Sequence, residues 1–282
     1  MTGTTTTAAD DVRRAFRALH ERGTFVLPNP WDVGSARLLE SLGAVALATT
    51  SSGFAASLGR PDQRVTRDEL VAHVAALTAA VRVPVAVDAE RGYAADPQGV
   101  AETVELLAAA GAAGVSLEDY DPATDRIDDV EAAVERVAAA AAVCDRYGMV
   151  LTGRCENLLY GVDDLDDTIA RLRAYRDAGA TAVHAPGLVA LPDIARVVTE
   201  VGVPVNVLAL RAGPSVPQLA GVGVRRVSVG GALTWAAYGA LVEAARELLT
   251  TGTSTYLDRA VSGELRAAAF VPNPEGSAPG IA

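Results

Sequence analysis

Short runs of β-branched and apolar residues recur along the chain, each followed by a longer, alanine-rich stretch whose apolar positions have helical spacing. The short runs read as strands over 24–27, 45–50, 85–90, 114–119, 150–154, 182–185, 205–208 and 226–229. They are continuously apolar rather than alternating, the pattern of parallel strands covered on both faces. The stretches between them read as helices over 35–42, 67–81, 97–110, 130–147, 165–178, 192–201, 217–220 and 235–250. Punctuation supports these boundaries. Thr66 and Glu69 have capping-box spacing, and Asp96-Pro97 places proline at a first helical position. Gly43, Gly111, Gly179 and Gly223 each separate a helix from the next strand, where glycine supplies the left-handed conformation that ends a helix. Eight such units with short connections predict an α/β fold, a closed (β/α)8 TIM barrel over 23–252, with an open doubly wound sheet as the alternative. Residues 1–22 read as a helical lead-in, and 253–282 as a C-terminal helix with a flexible tail.

Composition narrows the chemistry. The 282 residues carry 24 basic and 35 acidic side chains, a formal charge of −11, which disfavours nucleic acid and anionic membrane surfaces as partners. Every cation is arginine; the chain has no lysine. That excludes a Schiff-base aldolase, a pyridoxal-phosphate enzyme and a Walker A loop, all of which need an amine. Three histidines and two cysteines without CxxC or HxxxH spacing argue against zinc. Two cysteines do not make a disulfide scaffold, so a cytoplasmic location is expected. The threonine-rich start has no basic region ahead of an apolar run, so no signal peptide is expected, and no apolar stretch reaches membrane-spanning length.

A barrel of this kind holds its active site at the C-terminal strand ends. Trp31 follows the first strand, Thr50, Ser51 and Ser52 end the second, and Asp88 and Glu90 end the third. Glu118 and Asp119 end the fourth, Arg154 and Glu156 the fifth, and His184 and Asn206 lie on the sixth and seventh. Carboxylates crowded into one cleft repel unless a cation intervenes. An all-oxygen set selects Mg2+ or Mn2+ as cofactor, with Asp88, Glu90 and Glu118 as the metal candidates. Arg154 is placed for a bidentate pair with a substrate carboxylate, and Thr50–Ser52 offer donors to an anion. The competing reading is that acids at strand ends cap the next helix, which applies most to Asp119 and Asp32. Cys155 alternates away from the face Arg154 uses and is read as core, as is Cys144. His20 and His73 are read as surface or packing residues.

With these residues in view, the chain resembles the isocitrate lyase/phosphoenolpyruvate mutase superfamily from about Phe25 to Gly252. The resemblance is carried by Asn29-Pro30-Trp31-Asp32, by Thr50-Ser51-Ser52-Gly53 running on to Gly59-Arg60-Pro61-Asp62, and by Val87-Asp88-Ala89-Glu90-Arg91-Gly92-Tyr93. Gly114–Asp119, Gly153-Arg154-Cys155-Glu156-Asn157, Pro204-Val205-Asn206 and Arg225–Gly230 complete it. The resemblance implies Asp88 as direct Mg2+ ligand, Glu90 and Glu118 as ligands through water, and Asp62 in support of the metal's waters. It implies Thr50, Ser51, Ser52, Trp31, Arg154, His184 and Asn206 around the substrate. It also implies a homo-oligomer, dimer or tetramer, with the last barrel helix exchanged between subunits. The loop after the fourth strand, Tyr120-Asp121-Pro122-Ala123-Thr124-Asp125-Arg126, lacks the cysteine motif of isocitrate lyases and the lysine and asparagine of phosphonate-processing members.

The expected activity is therefore a Mg2+-dependent carbon–carbon lyase or decarboxylase acting on a small 2-oxo or 2-hydroxy (di)carboxylic acid through a metal-stabilised enolate. The alternatives are a phosphonopyruvate-type P–C hydrolase or mutase, and a non-catalytic metabolite-binding or accessory barrel. Glu156 and Tyr120 lead the candidates for general acid or base, ahead of Tyr93, Asp121 and Asp125. Their other readings are a salt-bridged supporting acid and a packed aromatic.

Overall fold

The computed structural model describes residues 8–270. Eight parallel strands form the sheet: β1 Phe25–Leu27, β2 Leu47–Ala48, β3 Val85–Asp88, β4 Gly114–Glu118, β5 Val150–Arg154, β6 Ala182–His184, β7 Val205–Leu208 and β8 Arg226–Ser228. They pair in the order β1-β8-β7-β6-β5-β4-β3-β2. The Ala48 amide donates to the Pro28 carbonyl at 3.1 Å, which brings β2 back to β1. The barrel expectation thus holds against the open sheet, and each strand lies within its expected run.

Alternation sorts the side chains. Val87, Val115, Leu117, Leu151, Val183, Val207 and Val227 face outward and pack beneath the helices in the largest apolar cluster. Fully burying one such side chain contributes about 1.5–3 kcal/mol. The inward positions change character with height. Phe25, Leu27, Ala48, Ala86, Ala113, Val150 and Ala182 form an apolar floor. Helix Ala8–Leu19, the expected lead-in, closes this end by inserting Phe16, with Arg13 tying it to the Ala108 and Ala112 carbonyls at 2.6 and 3.1 Å. Gly114 makes the room: a Cβ there would stand 2.9 Å from the Phe16 ring. Above the floor, Thr152, Ser116, Asp88, Arg154, His184, Asn206 and Ser228 take over the interior, so the upper barrel is polar.

Three elements depart from the expected string. Thr50 accepts from the Gly53 amide at 3.3 Å and N-caps a short helix, Ser51–Ser57, where a loop was expected. The chain after β4 folds as a two-stranded ribbon, Tyr120–Asp121 with Arg126–Ile127. Helix Ala232–Thr251 stands off the barrel: Thr234 alone of its residues is buried, while Trp235, Leu241, Leu248 and Leu249 are exposed. Helix Gly263–Ala269 packs on helix Val33–Ser41, and the expected flexible tail lies outside the described residues from 271 onward. Among the described residues no helix is long and apolar enough to cross a membrane.

Candidate active site

The polar end of the barrel opens into a cavity of about 170 Å3. That is below the 300–1,000 Å3 typical of drug-sized ligands and suits a small organic acid. Of the residues expected at the site, Thr50, Ser51, Ser52, Asp62, Asp88, Arg154, His184 and Asn206 line it. The wall does not include Trp31, Glu90, Glu118, Tyr120 or Glu156.

One guanidinium organises the acids. Arg154, at the end of β5, meets Asp88 at 2.8 Å, Glu118 at 2.9 Å and Glu156 at 2.8 Å, each through a different nitrogen. The strand register causes this, because Glu118 and Arg154 are paired positions on β4 and β5. Arg154, expected to grip a substrate carboxylate, lines the cavity and serves as the local counter-ion as well. Asp88 also accepts from the Ser51 amide at 3.2 Å, and its own amide donates to Thr49 Oγ1 at 2.9 Å.

Charge here is under-compensated. Five carboxyls, those of Asp62, Asp88, Glu90, Glu118 and Glu156, face one guanidinium. The strain registers in proton affinity. Burial, then the Asp88 charge, pushes Glu90 up to about 8. The same two causes raise Asp62. Glu118 is raised by burial against the opposing pull of Arg154. Glu90 Oε1 is buried without a hydrogen-bond partner. Backbone strain gathers in the same place: Gln63, Glu90 and Tyr93 have φ of 62°, 45° and 57°, unusual for residues with a Cβ and typical of functional sites.

These observations test the fit of a metal. Among the described residues no three His, Cys, Asp or Glu side chains form a ready metal-binding group. A hard dication such as Mg2+ does not need one, since it commonly takes one or two carboxylates and keeps several waters. Asp88 on the cavity wall, a cluster short of positive charge and an orphaned Glu90 oxygen fit that mode.

The remaining side-chain candidates stand off the cavity wall. Glu156 is 2% exposed; its carboxylate holds Arg154, and its amide donates to Asp119 Oδ1 at 2.8 Å. Asp119 caps no helix; it accepts from the Tyr175 hydroxyl at 2.5 Å and pairs with Arg171 at 3.4 Å. Tyr120 stacks on Tyr160 at 3.6 Å and donates to Asp125 at 2.7 Å. Asp32 is the helix cap it was read as, accepting from Ser35 N at 2.7 Å. Cys144 and Cys155 are core, and His20 and His73 are buried packing residues rather than surface ones. The Gly230-Gly231 turn lines the cavity, where a Cβ on Gly231 would come 3.1 Å from Ser52 Oγ.

Sequence reasoning missed two interior residues. Gln63 donates to Glu118 Oε1 at 2.7 Å and so docks the Asp62 loop onto the acids. Arg226 lies on an inward position of β8, and counting alternation back from Ser228 would have placed it there.

Comparison with known proteins follows the same lines. The family model described as phosphoenolpyruvate phosphomutase matches residues 16–249. A crystal structure of a Burkholderia cenocepacia J2315 protein, provisionally assigned as a lyase/mutase, is 48% identical, with a TM-score of 0.90 over 96% of this chain and 99% of that one. An oxaloacetate decarboxylase from Bradyrhizobium sp. (strain ORS 278) is 30% identical over 68% of this chain and 69% of its own length. The structure of oxaloacetate acetylhydrolase in complex with the product oxalate is 26% identical, with a TM-score of 0.83 over 92% and 94% of the two chains. That of 2,3-dimethylmalate lyase is 28% identical, with a TM-score of 0.81 over 94% and 95%.

Proposed function

The chain belongs to the phosphoenolpyruvate mutase/isocitrate lyase superfamily as a carbon–carbon lyase, and from that premise we propose that it decarboxylates or cleaves a small 2-oxo or 2-hydroxy (di)carboxylic acid with a divalent cation, Mg2+ or Mn2+. The observation that carries this reading is the cavity wall itself, where Asp88 and Arg154 stand together at the edge of an under-compensated acid cluster. Asp88 would hold the cation directly, with Glu90, Glu118 and Asp62 through water. When bound, such an ion supplies Lewis-acid polarisation of the substrate's carboxylate and C2 oxygens.

The chain's own residues do the rest. Arg154 uses three of its five N–H donors on Asp88, Glu118 and Glu156 and would offer the other two to the substrate's C1 carboxylate. Ser51 and Ser52 line the same cavity and bring hydroxyls to it. Preorganised donors of this kind act where anionic charge develops, and one is typically worth roughly 3 kcal/mol. His184 and Asn206 continue the cavity wall on the next two strands after that of Arg154. Burial and then Arg154 push His184 down to about 3, so it meets the substrate neutral. A retro-aldol cleavage needs a base at the substrate hydroxyl. Tyr120 and Glu156, the bases expected from sequence, stand off the wall. Decarboxylation of a 2-oxo acid that carries a carboxylate on C3 sends the electron pair of the broken C–C bond toward the C2 oxygen and then takes up one proton at C3, which water can supply; it needs no base at a hydroxyl, and the site favours it. The resemblance to an oxaloacetate decarboxylase points the same way.

Purified protein tests this directly. Oxaloacetate should be consumed with Mg2+, stop on addition of EDTA, and yield pyruvate and carbon dioxide in equal amounts. Phosphate release from phosphonopyruvate would replace this reading with P–C chemistry. Tight oxalate binding without turnover of any oxo acid would replace it with a binding barrel.

A further inference from the structure

Four strands carry one continuous row of paired positions: Arg226 on β8, Asn206 on β7, His184 on β6 and Arg154 on β5. The row climbs from beside the apolar floor to the acid cluster. Its lowest member, Arg226, is 5% exposed and has no carboxylate partner among the described residues. Its guanidinium is held by neutral acceptors: Asn206 Oδ1 at 2.9 Å, Thr152 Oγ1 at 2.9 Å and His20 Nε2 at 3.3 Å.

A guanidinium only donates, and that decides the orientation of both neighbours. Asn206 must turn Oδ1 toward Arg226, which leaves Nδ2 to donate to Ser228 Oγ at 2.9 Å and to face His184 Nδ1 at 3.0 Å. An N–H facing Nδ1 favours a bare nitrogen there, with the proton on Nε2. The Asn206 main-chain carbonyl, also 3.0 Å from Nδ1, can only accept and pulls the other way, so the side-chain amide that Arg226 holds tips the choice between the two tautomers. His20 gets the opposite instruction. Its Nε2 accepts from Arg226, so Nδ1 carries the proton and donates to the Phe16 carbonyl at 2.8 Å.

We propose that Arg226 is a positioning residue: through Asn206 it fixes His184 as the Nε2–H tautomer, presenting a neutral N–H donor to an oxygen of the bound acid. The catalytic part of this proposal rests on the functional reading above; the tautomer part does not. The charged groups facing His184 from its neighbouring strands are Arg154 and, through Asn206, Arg226, both cations, and both act with burial to keep it uncharged. The same arrangement keeps His20 neutral, pushed down to about 3 by burial and then by Arg226.

The test is two-bond proton–nitrogen correlation of 15N-histidine-labelled protein, whose three histidines are assigned by substitution of His73 and His20. In the wild type, His184 should read as Nε2–H and His20 as Nδ1–H, with neither titrating between pH 5.5 and 8.5. In Arg226→Met the amide is free to turn; His184 should shift toward Nδ1–H, and kcat on oxaloacetate should fall about 10- to 100-fold, the usual effect of losing a group that orients a ligand-contacting residue. Arg226→Lys, which still donates, should restore the wild-type tautomer. Should Arg226→Met fail to fold, Asn206→Asp serves instead: its carboxylate forces a proton onto Nδ1 and brings His184 into titration above pH 5. A wild-type His184 protonated on Nδ1 overturns the relay. So does an unchanged tautomer in folded Arg226→Met. A changed tautomer with unchanged kcat overturns the positioning role. If the wild type turns over no oxo acid, the functional reading fails while the spectra still decide the relay.

Discussion

Replacing Glu90 with glutamine should stabilise the protein at pH 8 and change it little at pH 5. The carboxyl is 6% exposed, one of its oxygens has no partner, and burial followed by Asp88 lifts it from 4.5 to about 8. Between those values the native chain keeps a proton that the unfolded chain has released. Stability is therefore complete below pH 4.5 and is lost as pH rises through 8. At about 1.4 kcal/mol per pH unit, the gap amounts to roughly 5 kcal/mol. For a chain of this length that is a shift in Tm of roughly 8 °C. Glutamine does not titrate, so Glu90→Gln removes this slope. Calorimetric Tm measured in EDTA from pH 5 to pH 8.5 reads it directly. Wild type and variant should converge at the acid end and separate at the alkaline end, with the variant higher. Curves that run parallel across the range would refute the claim that the acid cluster lacks positive charge. Mg2+ supplies the same missing charge, so it should raise the wild-type Tm at pH 8 far more than at pH 5.

Arg154→Met leaves Asp88, Glu118 and Glu156 without their shared counter-ion; it should cost about 3–5 kcal/mol in urea unfolding at pH 8, less at pH 5, and should weaken oxalate binding in calorimetry. Asp88→Asn should abolish both turnover and the Mg2+-dependent rise in Tm, while folding as judged by circular dichroism. The exposed apolar positions of helix Ala232–Thr251 are read as a contact with a second copy of the chain, so Leu241→Asp with Leu248→Asp should lower the mass measured by light scattering.

The barrel was legible because its evidence is local. Glycine at helix ends, a capping box at Thr66 and runs of outward valines each report their own element. The membership of the site was half legible for the same reason: strand ends can be counted, and Asp88, Arg154, His184 and Asn206 reach the cavity as counted. What counting could not give is register. Nothing local states that Glu118 pairs with Arg154, and that pairing makes the expected substrate arginine a counter-ion shared by three acids as well. Nor does spacing reveal that Gln63 folds back 55 residues to reach Glu118. Tyr120 and Glu156 were chosen as acid or base by residue type at strand ends; packing diverts the first into a stack on Tyr160 and the second into a pair with Arg154.

The charge layout argues against stability as its reason. Arg226 is buried on neutral acceptors, and five carboxyls share one guanidinium a few residues higher in the same barrel. Exchanging the two arrangements' charges, or replacing each with apolar side chains of similar volume, would remove a desolvation cost that burial in low dielectric makes several kcal/mol per ion. A barrel under selection for stability alone would have matched the excess acids with the spare cation. Instead the register keeps Arg226 away from the acids: the row from Arg226 runs through the neutral Asn206 and His184, and only its far end, Arg154, meets Asp88, Glu118 and Glu156. Such a cluster is short of positive charge by itself, and a dication among the acids would supply it. The folded chain thus carries electrostatic energy that a proton on Glu90 relieves in part and a bound dication would relieve further, so that binding energy is concentrated beside the bond to be broken.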